Sequence, residues 1–244
     1  MSPSAAYRPA GGASIDEAFD DAGLPRPLYA PLLADYEGAD LGARADVVAR
    51  HLRDRGVAFG GDDGWPFVVD QVPRLIDAGE WSRVELGLQR RAATLEAFVA
   101  DVHGERRCFA DGVLPVDALD GCPFLEPDLV GLPDPPSARI AVAGMDLVRA
   151  ASGELMVLED NCRTPSGLAY ALAARDAVRS LHGDGIAIRD YRTELQTALR
   201  DALAAAMPPG AADDAETVLL SDGSANTAWY EHNTLAGLAG VDLL

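Results

Sequence analysis

The sequence predicts an α/β fold, in which an antiparallel hairpin with flanking helices precedes a strand–helix–strand unit. Three observations carry that prediction. The apolar runs Gly144-Met145-Asp146-Leu147-Val148-Arg149 and Leu155-Met156-Val157-Leu158-Glu159-Asp160-Asn161 flank the short polar stretch Ala150-Ala151-Ser152-Gly153, the pattern of a hairpin. Trp81, Val84, Leu88, Leu95, Phe98 and Val102 recur at helical spacing along the longest periodic stretch. Near the end, Thr217-Val218-Leu219-Leu220, a helical stretch from about Asn226 to Ala239, and Val241-Asp242-Leu243-Leu244 form a strand, a helix and a strand in succession.

In chain order, residues 1–14 are mostly Pro, Gly, Ser and Ala and read as a disordered tail. Ser14, with Glu17 three residues on, fits a capping box that would open a helix. Pro25, Pro27 and Pro31 punctuate the next stretch. Leu41, Ala45, Val48 and Leu52 predict a helix that Gly56 ends. Val57-Ala58-Phe59 and Trp65-Pro66-Phe67-Val68-Val69 flank a Gly/Asp-rich loop and predict a first hairpin. The long helix comes after it, closed by Gly104, and its apolar stripe reads as a packing face. Proline-rich residues 108–138 read as an irregular connection. After the second hairpin, at about 139–161, Ser166-Gly167 opens an Ala-rich helix over 168–181. Tyr191 to Met207 reads as another helix, closed by Pro208-Pro209-Gly210. The loop Ser221-Asp222-Gly223-Ser224 sits at the carboxyl end of a strand, where open α/β sheets bind ligands. An anion cradle and a plain strand-to-helix turn fit it equally. The pattern divides into a tail of 1–14, a region 15–185 and a second α/β region 186–244. Because the last predicted strand runs to Leu244, the chain is expected to be the N-terminal portion of a larger unit.

A net charge of −19 argues against nucleic acid or anionic membranes as partners through a broad electrostatic patch. An apolar fraction of 48% suits a globular core beneath a solvated acidic surface. All 20 basic residues are Arg. There is no signal-peptide pattern, and no apolar run approaches the roughly 20 residues that span a bilayer. Cys108, Cys122 and Cys162 show no CxxC spacing, which fits reduced thiols in a cytoplasm. Cys162 reads as a small filler rather than a nucleophile, since no His lies nearby in sequence to activate it.

A turn centred on Ser152-Gly153 places Asp146 opposite Glu159. Like charges facing each other across strands are destabilising, and a bound divalent cation is the simplest reason to pair them in strands this apolar. Asn161 points the same way, two residues on. Asp, Glu and Asn are hard oxygen ligands that suit Mg²⁺ held jointly with phosphates. Arg163, on the exit loop, is a planar cation that could hold phosphate oxygens. On spacing alone, ordinary strand-end polar residues fit as well. Arg163 could instead pair with Asp160 or Glu159, and Asp160 falls on the opposite face. Thr164-Pro165-Ser166-Gly167 reads as the turn and cap of the next helix, with an approach to substrate as the alternative. Glu231 and His232 read as surface or packing residues, with binding of a substrate amine by Glu231 as the alternative.

The run LEDNCRTPSG after GMDLVR resembles the metal-binding region of the circularly permuted ATP-grasp proteins, type 2, and more distantly the synthetase domain of glutathionylspermidine synthase. Glu80-Trp81 with Glu85-Leu86-Gly87-Leu88-Gln89-Arg90-Arg91, and Ala225-Asn226-Thr227-Ala228-Trp229-Tyr230-Glu231-His232, also match, and the resemblance covers most of the chain, from about Phe19 to the end. It implies an ATP-grasp-like antiparallel sheet with flanking helices plus a partial Rossmann-like β-α-β unit. It implies ATP and Mg²⁺ as cofactors, and ATP-dependent joining of a carboxylate to an amine through an acyl phosphate on a small peptide or amino acid. By matching motifs, Asp146, Glu159 and Asn161 would hold the metal and contact ATP. Arg163 would be the catalytic residue beside the transferred phosphate. ATP-grasp sites take lysines from a separate small subdomain, and this chain has none. An incomplete enzyme that needs a complementary chain is therefore expected. Two other readings stay open: a non-catalytic partial module, and a metal-dependent hydrolase using the same three oxygen ligands without nucleotide. The sequence has no Walker lysine, HExxH or GxSxG motif.

Overall fold

The computed structural model describes residues 15–60, 64–132, 137–182, 188–212 and 214–244. The described chain begins with a turn rather than a helix. The Asp16 carboxylate accepts from the Ala18 and Phe19 N–H groups at 2.9 Å each, and Phe19 bridges to Pro25. Ser14 lies outside the described residues, and Glu17 turns away to Arg74 and Arg149. The expected capping box therefore opens no helix over this stretch. The first helix, α1 (Ala30–Asp35), starts with a proline in its first turn. Helix α2 (Leu41–Asp54) is capped by Asp40, whose side chain accepts from Ala43 N–H. Gly56 ends it with φ 66°, a conformation that favours glycine.

Strands β1 (Ala58–Phe59) and β2 (Trp65–Pro66) form the first antiparallel hairpin; residues 61–63 of its loop lie outside the described set. The long helix α3 (Ala78–His103) has 26 residues and is capped by Asp77. Val84, Leu88, Leu95 and Phe98 are half-buried and Val102 is buried, so the stripe does pack, while Trp81 at its start stays exposed. The proline-rich connection keeps only a one-turn helix, α4 (Arg107–Ala110), and a 3-10 turn at Pro127–Leu129 among its described residues. Then come β3 (Gly144–Arg149), β4 (Leu155–Asn161), α5 (Leu168–His182) and α6 (Arg192–Ala205).

The last unit is β5 (Val218–Leu219), α7 (Trp229–Ala239) and β6 (Asp242–Leu243), and its strands pair in parallel, as a crossover connection requires. Helix α7 starts later than Asn226. That residue's side chain is engaged in the preceding turn, accepting from Ala228 N–H at 2.7 Å and donating to Asp222 at 2.5 Å.

The α/β class holds. Among the described residues, however, the strands form three separate two-stranded sheets rather than one larger sheet, and helices supply the core. Val48 and Leu52 of α2 pack with Val57 and with Tyr170, Ala173 and Ala177 of α5, and Tyr230 of α7 lies against them. The rings of Tyr170 and Tyr230 are 5.3 Å apart. Helix α7 thus packs on the core that α2 and α5 build. A second cluster joins Tyr29, Leu32 and Tyr36 to Val72 and Leu75. Both tyrosine hydroxyls there bond to backbone: Tyr29 accepts from Leu75 N–H at 2.8 Å and Tyr36 donates to the Gln71 carbonyl at 2.5 Å.

Candidate metal centre

The β3–β4 ribbon delivers the expected carboxylate pair by an unexpected route. Its loop is Ala151-Ser152-Gly153, with Gly153 at φ 87° and bonds of 2.9 Å from Ala150 N–H to the Glu154 carbonyl and from Gly153 N–H to the Ala150 carbonyl. This loop centres the register on Ser152 and pairs Arg149 with Leu155, Val148 with Met156 and Leu147 with Val157. Continued, it would set Asp146 against Leu158. Instead the register shifts between Asp146 and Leu147. Leu158 becomes an extra residue in β4, and Asp146 pairs with Glu159, Met145 with Asp160 and Gly144 with Asn161. Leu158 and Glu159 are both exposed, Asp160 turns inward, and Asn161 returns to the face of Glu159. A Cβ on Gly144 would lie 3.6 Å from Asn161 Cβ and 3.0 Å from Pro165 Cβ, so the exit loop folds back over this end of the ribbon.

The inward side chains tie the ribbon to α3. Arg91 donates from Nε and Nη2 to the two Asp160 oxygens at 2.6 Å each. Arg149 donates to the two Glu80 oxygens at 2.6 and 3.1 Å, and its Nε lies 2.7 Å from Glu17, which also pairs with Arg74. These contacts move the titrations. The Arg91 guanidinium holds the Asp160 carboxyl below the usual range, Arg149 does the same to Glu80, and Glu80 followed by Glu17 raises Arg149.

The outward face is different. Asp146 and Glu159 are exposed and Asn161 is half-buried. Among the described residues, no hydrogen bond or ion pair reaches any of the three side chains. Two carboxylates abreast without a protein cation, beside an amide oxygen, suit Mg²⁺, which takes one or two carboxylates and leaves its other positions to water or phosphate. Among the described residues no group of three or more His, Cys, Asp or Glu could hold a metal, so the candidate donor set is the mixed one. Arg163 is exposed on the exit loop. It pairs with neither Asp160 nor Glu159, and its guanidinium stacks 4.4 Å from the centroid of the Phe124 ring.

Sequence reasoning assigned no role to Phe124, Arg91 or Arg149, and it did not foresee Glu231 as a helix cap. Glu231 is 2% exposed. Both its oxygens accept from Gly167 N–H at 2.9 Å, and Oε1 also accepts from Ala169 N–H at 2.9 Å. The start of α5 is thus capped by a carboxylate from α7. The available signal was the i, i+4, i+7 spacing of Glu231, Leu235 and Leu238, which puts the acid on the apolar side of its helix. In the Ser221–Ser224 loop, the Ser221 hydroxyl meets His232 Nδ1 at 2.8 Å and accepts from Gly223 N–H at 3.2 Å. The loop closes on itself as a turn. Cys162 is half-buried, and burial followed by the Asp160 charge pushes its thiol up, which disfavours a thiolate.

The profile of the family described as circularly permuted ATP-grasp type 2 matches residues 73–244, a span that holds α3, the ribbon and the strand–helix–strand unit. The chain is 36% identical over 241 residues to an uncharacterized protein of Mycobacterium leprae, covering 95% of this chain and 42% of that one. It is 37% identical over 251 residues to a Frankia casuarinae protein named "Putative glutamate--cysteine ligase 2-2", covering 98% of this chain and 28% of the relative. With an uncharacterized protein of Synechocystis the identity is 34% over 249 residues, 96% of this chain and 50% of the other. The chain spans half or less of the length of these relatives.

Proposed function

We propose, since the chain belongs to the circularly permuted ATP-grasp type 2 family, that it supplies the metal-binding ribbon of an ATP-dependent carboxylate–amine ligase. The observation that carries this is the Asp146–Glu159 pair, set face to face by a bulge, with Asn161 beside it and no protein cation on any of the three among the described residues. A bound Mg²⁺ supplies charge neutralisation for nucleotide phosphates. On the protein side, Asp146 and Glu159 provide the negative donors and Asn161 a neutral one. Arg163 is the candidate catalytic residue: its planar, always-charged guanidinium, stacked on Phe124, presents N–H donors to the oxygens of the transferred phosphoryl group. The name of the Frankia relative supports a small peptide or amino acid as substrate, activated as an acyl phosphate. The given sequence has no lysine, so a phosphate-binding cation within it would be an arginine. No described helix is long and apolar enough to cross a membrane, and the free cysteines support a reducing, cytoplasmic setting.

Calorimetric titration with ATP in the presence of Mg²⁺ tests this reading. The wild-type chain is expected to bind, and Glu159→Ala and Asp146→Ala to bind at least about 10-fold more weakly. A Glu159→Ala protein that binds Mg·ATP as tightly as wild type overturns it. A non-catalytic docking module is the second reading, favoured by the exposed Val148, Met156 and Leu158 that share the outer face. It predicts no nucleotide binding by any of the three proteins.

A further inference from the structure

We propose that Asp160 and Arg91 are positioning residues: by engaging each other they keep Arg91 from Glu159 and hold β4 in the bulged register that sets Glu159 and Asn161 beside Asp146. A metal readout of this device rests on the Mg²⁺ reading of that face; a register readout does not.

Strand side chains alternate. Counting from half-buried Val157, a straight strand would send Leu158 out, Glu159 in, Asp160 out and Asn161 in, and would set Asp146 opposite Leu158. Two of the three candidate ligands would then face α3. The bulge inverts the parity from Glu159 onward. Nothing local selects it, since it breaks the ladder and Leu158 faces out in either register. The selection comes from α3. Arg149 anchors the turn end of the ribbon on Glu80, and Arg91 lies 11 residues, or about three helical turns, further along the same helix. Arg91 sits where the inward residue opposite Met145 must come. Two adjacent carboxylates compete for that place, Glu159 in the straight register and Asp160 in the bulged one. The short, two-pronged bond with Asp160 decides for the second. Removing the Asp160 charge leaves Glu159 as the better partner for Arg91, and β4 straightens.

Deleting Leu158 separates positioning from mere stability. Without that residue, alternation alone sends Glu159 out, residue 160 in and Asn161 out, with Asp146 still opposite Glu159. The experiment compares wild type, Asp160→Asn, the Leu158 deletion and the deletion combined with Asp160→Asn. Cross-strand nuclear Overhauser contacts from residue 146 and titration with Mg²⁺ are the two readouts. In Asp160→Asn the 146–159 contact should give way to a 146–158 contact, and Mg²⁺ affinity should fall about 10- to 100-fold. In the deletion background, the same substitution should change neither. Asp160→Ala serves the same comparison should Asp160→Asn fail to fold. A 146–159 contact that survives in Asp160→Asn overturns the proposal, whatever the metal does. If the register moves but Mg²⁺ binding is unchanged, or wild type binds no Mg²⁺, the metal reading falls and the register proposal stands on its own arm.

Discussion

Glu231 does at long range what a cap residue ordinarily does from the adjoining position. Its three bonds to Gly167 and Ala169 satisfy N–H groups that no helical carbonyl can reach. Glu231→Gln keeps the shape but turns one acceptor into a donor facing Gly167 N–H. The expected loss is about 2–3 kcal/mol of stability by urea unfolding, with amide exchange at Gly167 and Ala169 rising first. Glu231→Ala should cost more. An unchanged urea midpoint for both variants would show that the cap contributes nothing. Residues of this kind were the hardest to read in advance. The expectation for Asp146, Glu159 and Asn161 needed only one hairpin, but the partners of Arg91 and Glu231 lie 69 and 62 residues away, beyond any local pattern.

At the scale of elements, the ribbon and the loop leaving it act together. Gly144 lacks the Cβ that would press to 3.0 Å against Pro165, so the loop carrying Arg163 can close over the ribbon end. Gly144→Ala is expected to cost about 1–3 kcal/mol by overpacking and to loosen the Arg163–Phe124 stack. Chemical denaturation and NMR shifts of the Phe124 ring protons measure the two effects, and a ring signal identical to wild type would contradict the second. Helices α2, α3 and α5 were legible to within a few residues because the apolar period agrees with the glycines and caps that bound them. The bulge was not legible, since strand periodicity predicts straight strands. A turn centred on Ser152-Gly153 reached the right Asp146–Glu159 pairing through the wrong loop. The helix expected from Ser14 failed because Asp16 gives its side chain to a turn instead.

For the whole molecule, charge sets the response to acid. Arg149 holds Glu80 below the ordinary carboxylate range, Arg91 does so to Asp160, and Arg44 to Asp35. Groups depressed in the folded state stabilise it fully above their unfolded values, about 4, and that contribution is lost as pH falls through the lower folded ones. Protonation of other carboxylates meanwhile relieves the repulsion of a chain with net charge −19. Stability should therefore hold or rise from pH 7 to about 5 and decline below about 4. Urea midpoints at constant ionic strength test this. The gap between wild type and Glu80→Gln should be widest at neutral pH and close as the solution is acidified. A gap independent of pH would mean that the Glu80–Arg149 pair contributes through packing alone. The core that α7 shares with α5 was not visible in the sequence at this scale, where 15–185 and 186–244 read as separate regions.

The bond from Ala169 to Glu231 also sets a schedule for the nascent chain. Its acceptor is encoded 62 residues after its donor, so at about 5–20 residues per second the ribosome makes the two roughly 3–12 s apart. During that interval the start of α5 lacks the carboxylate that caps it, although the α2 residues it packs on are already made. Codon choice between the two positions therefore governs how long the half-made protein stays in that condition.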